Sequence, residues 1–368
     1  MKELPVVIIT TRLPPQVCGV GTYSWLLHRH WPVDSSPTQF LVIDGAAQSI
    51  AELHYAGISD FHARSRELSH QLERVGAAKV VLHYAGRAYQ RYACPIWLPR
   101  VLRNWKAKFS NSRLLVFFHE LPGDFPITSR YFWIDMCNRG VIRKLAALAD
   151  VIVTNTHDHL RKIEAISKRR DVHVVPVGSN IEPPVDAPSE ERVPTEFVIF
   201  GLPFGRWQTL QMFAPEIRSW QQSGRLTELH LIGPRDEKFD QRSDQLIAGW
   251  PKPPIIVRHG LLPSAEVSKL LRHVRYGLTN VTVENWSKSA VFMACASHGC
   301  AVVCKARSEQ PPLCFTIAAE EVATISDADL AERTRSLEEW YARNADWNVI
   351  AGKISALLVD HLENRAHA

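Results

Sequence analysis

Lys288-Ser289 is the pair whose position promises chemistry. It lies in the stretch Glu284 to Val303, ENWSKSAVFMACASHGCAVV, which reads as a strand end, a loop, a small-residue helix, His298-Gly299 and a buried strand. An ammonium and a hydroxyl at a helix start, beyond the carboxyl end of a parallel strand, form an anion site. The free N–H groups of the helix point at the ligand and its dipole favours negative charge. A phosphate is the natural occupant. A solvated lysine beside an N-capping serine is the plainer account of the same two residues.

Two other places carry candidate groups. The apolar run Leu114 to Phe118 ends in His119-Glu120. A polar pair at the carboxyl end of a central strand is where α/β proteins place chemistry: His donates to developing charge, and Glu orients a hydroxyl or acts as base. A satisfied hydrogen-bonding pair at the rim is the alternative. Near the start, Gly19-Val20-Gly21 precedes the helix-like YSWLLHRHW. Glycines there let backbone N–H groups approach a ligand. Gly19-x-Gly21 with Asp44 after the next strand also resembles a dinucleotide fingerprint. However, Ser24 occupies the third glycine position and the loop from Thr10 to Gly19 is long for that fingerprint, a length that better suits a loop reaching across a cleft. A plain structural turn is the third account.

These groups need a scaffold. At 368 residues the chain predicts two domains. Its 46% hydrophobic and 22% charged residues are those of a globular protein, and a formal charge of +5 without a long basic run argues against nucleic acid as partner. The seven cysteines include no CxxC pair and match no zinc pattern. They read as reduced thiols, which predicts an intracellular, cytoplasmic protein without a resident metal. No signal peptide is legible, and no apolar run approaches the ~20 residues of a membrane span.

Taken in order, the chain alternates strands and helices. Strands are predicted at Pro5 to Thr10, Phe40 to Asp44, Lys79 to His83, Leu114 to Phe118, Val151 to Thr154 and Val172 to Val177. Helices are predicted at Ser59 to Gly76, from Pro95 or Pro99 to Phe109, Met136 to Ala149 and Asp158 to Lys168. The segment 95–109 has two readings: a helix packed on the sheet, or a basic, Trp-bearing face lying on the inner membrane surface. The stretch IEPPVDAPSEERVP holds four prolines and four acids in fourteen residues, so it reads as a hinge linker. Strands then recur at Glu196 to Phe200, Glu228 to Ile232, Ile255 to Val257, Tyr276 to Thr279 and Ala301 to Val303, with helices near 208–221, 264–273, 287–298 and 327–343. The expected division is 1–182, a linker over 183–194, 195–345, and a helix in 346–368 that crosses back to the first domain. The fold class is α/β: two facing, Rossmann-like, doubly wound parallel-sheet domains with a ligand cleft between them.

The two-sheet plan, CGVGTYSWLL, VVPVGSN before the linker, HGLLPSAEVSKLLRHVRYGLTN and the Lys288-Ser289 loop-helix-strand together resemble family 4 glycosyltransferases of the GT-B fold. A closer likeness is to a bacterial branch carrying HYAGRAYQRYACPIWL and FFHELPG. The resemblance implies a hexosyltransferase-type enzyme that moves a sugar, with retained configuration and no required metal, from a nucleotide-sugar donor held by the C-terminal domain. The acceptor, a glycan, a lipid-linked or a small molecule, is held by the N-terminal domain. It implies that Gly19 and Gly21 meet the donor phosphates, that His119 lines the sugar site, that Arg206 binds phosphate, and that Lys288 and Ser289 lie in the donor loop. Glu120 or Glu284 would orient a hydroxyl. The family places two Glu with seven residues between them in the donor loop. Counting back from Gly299, those slots hold Trp286 and Ala294, with Glu284 two residues from the first. A catalytically silent nucleotide- or glycan-binding protein, a nicotinamide-dependent oxidoreductase and a sugar-nucleotide epimerase are the competing readings.

Overall fold

A computed structural model describes residues 4–16, 18–43, 55–57, 64–90, 92–123, 125–184, 191–305 and 308–359. The chain divides into two compact units, Met1–Pro176 with Trp347–Ala368, and Val177–Asp346.

The first unit is built on strands β1 (Val6–Thr10), β2 (Thr38–Val42), β3 (Tyr55–Gly57), β4 (Lys79–Tyr84), β5 (Arg113–Phe118), β6 (Val151–Thr154) and β7 (Val172–Val174). Every residue of β1, β4 and β5 is buried, as expected of strands covered on both faces. All pairings are parallel, and the order across the sheet is β3-β2-β1-β4-β5-β6-β7. The winding reverses direction between β1 and β4, which opens a crevice beyond their carboxyl ends. Helices α1 (Gly19–Arg29), α2 (Arg64–Val75), α3 (Gly86–Tyr89), α4 (Trp97–Lys108), α5 (Arg130–Leu148) and α6 (His157–Ser167) connect the strands.

The second unit repeats the plan with β8 (Val193–Phe200), α7 (Pro203–Gln222), β9 (Glu228–Ile232), α8 (Glu237–Ala248), β10 (Ile255–Gly260), α9 (Ser264–His273), β11 (Val274–Leu278), α10 (Ala290–Ser297), β12 (Ala301–Cys304), β13 (Ile317–Ala318) and α11 (Asp327–Asn344). Its parallel order is β10-β9-β8-β11-β12-β13, with the reversal between β8 and β11. The last helix, α12 (Trp347–Val359), belongs to the first unit. Trp347 meets Tyr23 edge to face with ring centroids 4.9 Å apart, and the Ser355 and Ser35 hydroxyls are 3.0 Å apart.

Several elements differ from the sequence reading, each for a local reason. Helix α5 begins at Arg130, ahead of the predicted Met136, because Ser129 caps it by accepting from the Tyr131 N–H at 3.2 Å. Its first turns expose Tyr131, Trp133 and Met136, so no apolar stripe announces them. Helix α8, absent from the sequence reading, buries only Phe239, Ser243 and Ile247 and is started by the Asp236 cap. Strand β8 starts at Val193, ahead of Glu196, and β10 runs on through Arg258 and His259, polar residues that hide the strand pattern. Edge strands β3 and β13 have three and two residues, too few for a periodic signal. Ser59 and Asp44 lie outside the described residues.

Helix α4 resolves its two readings. Trp105 is 3% exposed, Trp97 packs against the same core, and the Trp105 indole N–H donates to the Gly76 carbonyl at 2.9 Å. The Trp-bearing face is therefore the core face. What α4 leaves exposed is Arg100, Arg103, Asn104, Ala107 and Lys108, a mainly polar surface without an aromatic anchor.

Candidate functional site

In the second unit, the loops after β8 and β9 meet at closest range. Gly233 has φ +141°, and a Cβ there would lie 2.0 Å from the Gly201 carbonyl oxygen, so the turn tolerates no side chain at Gly233. The guanidinium of Arg206, in the first turns of α7, donates to the Pro234 carbonyl and lies over the Phe239 ring, 4.4 Å from its centroid. Arg206 is 3% exposed, and burial lowers its pKa. The structure thus places Arg206 beside the expected turn, tied to it by one hydrogen bond, with its buried Nε left without a partner among the described residues.

The amino end of α10 opens on the same turn: Val291 Cγ2 lies 3.4 Å from where a side chain on Gly201 would begin. Ser289 is the cap of α10, its Oγ accepting from the Phe292 N–H at 3.2 Å. The hydroxyl proton stays available to a ligand, because an accepting Ser still has its O–H to donate. Lys288 is exposed at the end of a short 3-10 turn, Trp286–Lys288. Lys288, Ser289 and the α10 amino end therefore gather at the reversal between β8 and β11. Glu284 is exposed in the preceding loop.

The two slots where the resemblance expects acids have structural occupants. Trp286 is half-buried, meeting Trp340 edge to face at 5.4 Å and lying 6.1 Å from Phe292, which pins the turn against α11. Ala294 is fully buried in the core of the unit. A carboxylate at position 294 would be buried in apolar surroundings at a cost of several kcal/mol, about what an unpaired buried charge demands.

A cavity of about 830 Å³ lies at the opposite, amino-terminal edge of this sheet. Three of its charged residues are engaged: Arg192 donates to the carbonyls of Leu271, Val274 and His298, and Arg275 pairs with Asp327. His298 beside it is a structural residue. Its Nδ1 is 2.7 Å from the Ala294 carbonyl and its Nε2 2.9 Å from the Ser268 hydroxyl, a pattern met by a neutral ring. Burial pulls its pKa down to about 4. Since the folded value lies below the ordinary 6.5, the stabilising contribution is complete above pH 6.5 and is lost as pH falls toward 4. Between pH 6.5 and 5 this one group should lower stability by about 2 kcal/mol. Thermal unfolding at pH 7 and pH 5 measures it, and His298→Gln should flatten the difference. Equal transitions at both pH values in the parent protein would refute the assignment.

In the first unit, Cys18 caps α1, and Gly19 and Glu120 both line a cavity of about 520 Å³ beyond β1 and β4. Gly21 serves packing: a Cβ there would sit 2.2 Å from the Arg12 carbonyl oxygen, so this glycine admits the preceding loop. His119 does not line this cavity. Its Nε2 is 2.8 Å from His83 Nδ1, its ring stacks on Phe117 with centroids 4.4 Å apart, and it hydrogen-bonds Asn155. Burial is the main cause that pulls the His119 pKa to about 3, and His83 is lowered well below its ordinary value by burial and by His119. His119 is therefore neutral at physiological pH and held in one orientation. Ser24, in the third slot of the dinucleotide fingerprint, is fully buried and bonded to Thr10 and Val20, so no glycine-lined approach exists there.

Sequence reasoning missed Thr11, Arg12, Arg64 and Arg87 in the first unit, and Gly201 and Gly233 in the second. Thr11 and Gly201 follow β1 and β8, so counting to each strand end could have found them. Arg64 and Arg87 come together only through the fold.

No family model and no curated protein sequence matches the chain. Solved structures do. A glycosyltransferase from Rickettsia africae ESF-5 superposes with TM-score 0.66 at 12% identity, over 99% of this chain and 100% of that one. Alr3699/HepE of Anabaena, solved with UDP and glucose, gives 0.64 at 12% identity over 97% and 99%. The lipopolysaccharide outer core galactosyltransferase WaaB gives 0.61 at 13% identity over 97% and 100%. The fold is GT-B. Each unit of this GT-B chain then has its reversal crevice where the doubly wound sheet dictates, with Gly19 and Glu120 at one and Lys288 and Ser289 at the other.

Proposed function

We propose that this GT-B chain is a hexosyltransferase-type enzyme that transfers a sugar, with retention, from a nucleotide-sugar donor to a glycan, lipid-linked or small-molecule acceptor. The observation that carries the reading is the α10 amino end, fronted by Lys288 and capped by Ser289, opening on the Gly201 turn at the reversal of the second sheet. That is the position at which doubly wound sheets hold phosphates. That HepE was solved with UDP and glucose supports the same reading.

In the proposed reaction the bond between the anomeric carbon and the leaving phosphate oxygen breaks. Its electrons stay on the diphosphate, and the acceptor oxygen forms the new bond as its proton passes to the departing phosphate oxygen. Lys288, the Ser289 hydroxyl and the α10 N–H groups meet the charge that develops on the diphosphate. No metal enters this account. Arg206 supports the turn beneath. His119, being neutral, offers at most a hydrogen bond to the sugar, and Glu120 or Glu284 orients the acceptor hydroxyl. A cytoplasmic setting fits a nucleotide-sugar substrate.

The test is a panel of UDP-, GDP- and CMP-activated sugars with mixed acceptors, scored for nucleotide release and for anomeric configuration of the product by NMR. Release that depends on an acceptor, with a retained product, is expected. A second reading has its own support: Trp286 and Ala294 occupy the acidic slots with packed apolar groups, as in a protein that binds a nucleotide without turning it over. Nucleoside diphosphate binding with no release from any donor would favour it.

A further inference from the structure

The cavity beyond β1 and β4 of the first unit has the chemistry of an anion site. Among the described residues, three guanidinium groups, Arg12, Arg64 and Arg87, line it together with one carboxylate, Glu120. Arg64 is 6% exposed, and its Nη1 donates to the Tyr89 carbonyl at 2.7 Å, which fixes the direction of its planar head. Arg12 and Arg87 are exposed on their outer sides. Gly19 and Val20, the first residues of the 11-residue helix α1, also line the cavity, and the first turn of α1 carries no acid to neutralise its positive end.

An independent observation points to a ligand. Thr11 lines the same cavity, is 1% exposed, and its Oγ1 has no hydrogen-bond partner among the described residues. A buried hydroxyl left unpaired costs about 1–3 kcal/mol. A threonine at this place is accounted for if something that enters the cavity completes its hydrogen bond. At about 520 Å³ the cavity exceeds the needs of a lone phosphate and suits a ligand of sugar size that carries one.

We propose that this cavity seats a phosphate-bearing acceptor. Arg12, Arg64, Arg87, the Thr11 hydroxyl and the α1 N–H groups hold its phosphate, and Glu120 takes its reacting hydroxyl. The word acceptor rests on the transferase reading above; the anion site itself does not. The phosphate would be a fixed feature of the acceptor and not the leaving diphosphate of the donor. No bond to this phosphate changes, so its role is recognition, and neutral acceptors of the same shape are discriminated against by the loss of these contacts.

The experiment is calorimetric titration of inorganic phosphate into the full chain at low ionic strength, with and without saturating UDP. One phosphate per chain is expected in the presence of UDP. Arg87→Ala and Thr11→Val should each weaken it about 10- to 150-fold, the range for one hydrogen bond to a charged group, while UDP affinity stays within twofold. Thr11→Val should also leave the melting temperature without phosphate unchanged or higher, because it removes an unpaired buried hydroxyl, and should abolish most of the rise that phosphate produces. Displacement of phosphate by UDP would assign the cavity to the donor and overturn the proposal. So would phosphate binding that ignores both substitutions. Loss of phosphate binding with UDP binding intact removes the anion site alone; loss of UDP binding with the phosphate site intact removes the transferase reading alone.

Discussion

Lys288→Ala should reduce turnover about 10- to 1000-fold with little change in melting temperature, the range for removing one strong donor to transition-state charge. Lys288 is exposed, so the folded structure loses little when its side chain is cut back. Its ammonium stands before the capped start of α10, where the charge of a departing diphosphate would be met. The effect should fall mainly on kcat, since the negative charge grows as the bond to the sugar breaks. Lys288→Arg should recover part of the rate by restoring charge without the compact ammonium. Turnover at the parent level in Lys288→Ala, with a substrate pair established from the donor panel, would assign this residue to the solvated surface. The same comparison for Ser289→Ala separates two roles: a lost cap lowers the melting temperature by a few degrees, whereas a lost donor lowers kcat without that shift.

Gly233→Ala should be the most damaging single substitution at this turn, costing about 4 kcal/mol or more, at the level where one mutation becomes diagnostic of backbone conflict. Two causes act together. The φ of +141° is one that L side chains rarely adopt, and the new methyl would lie 2.0 Å from the Gly201 carbonyl oxygen. The oxygen belongs to the backbone, so relief requires moving the turn onto which α10 opens. Nucleoside diphosphate binding should fall along with stability. Gly205→Ala is the matched comparison. It lies inside α7 with nothing within 4 Å of the new methyl, and it should be neutral or stabilising by about 0.5–1 kcal/mol through helix propensity. Similar melting temperatures for the two variants would show that the turn relaxes freely.

The βα alternation, the placement of the central strands and the location of the Lys288-Ser289 loop were all legible from local pattern. Runs such as VVIIT and RLLVFF are fully buried, and a strand covered on both faces must read as a continuous apolar run. Elements whose stability comes from caps and edges were not legible. Helix α8 depends on Asp236 and three buried residues, and β13 on two residues paired to its neighbour. The tryptophans of α4 could be read as facing lipid because periodicity shows that a face is apolar without showing what covers it.

Composition and order by themselves determined that this chain forms two doubly wound sheets and that a cationic, hydroxyl-bearing helix start follows a strand of the second. These are properties of spacing along the chain. Only the tertiary structure decided which candidates share a place. It packed Gly21 against the Arg12 backbone, tied Arg206 to the Pro234 carbonyl, and set His119 beside His83. It also gathered Thr11, Arg12, Arg64 and Arg87 around one cavity. The physical reason is that hydrogen bonds and close packing act over a few ångströms in space, and residues distant along the chain meet only when the fold brings the ends of separate elements side by side.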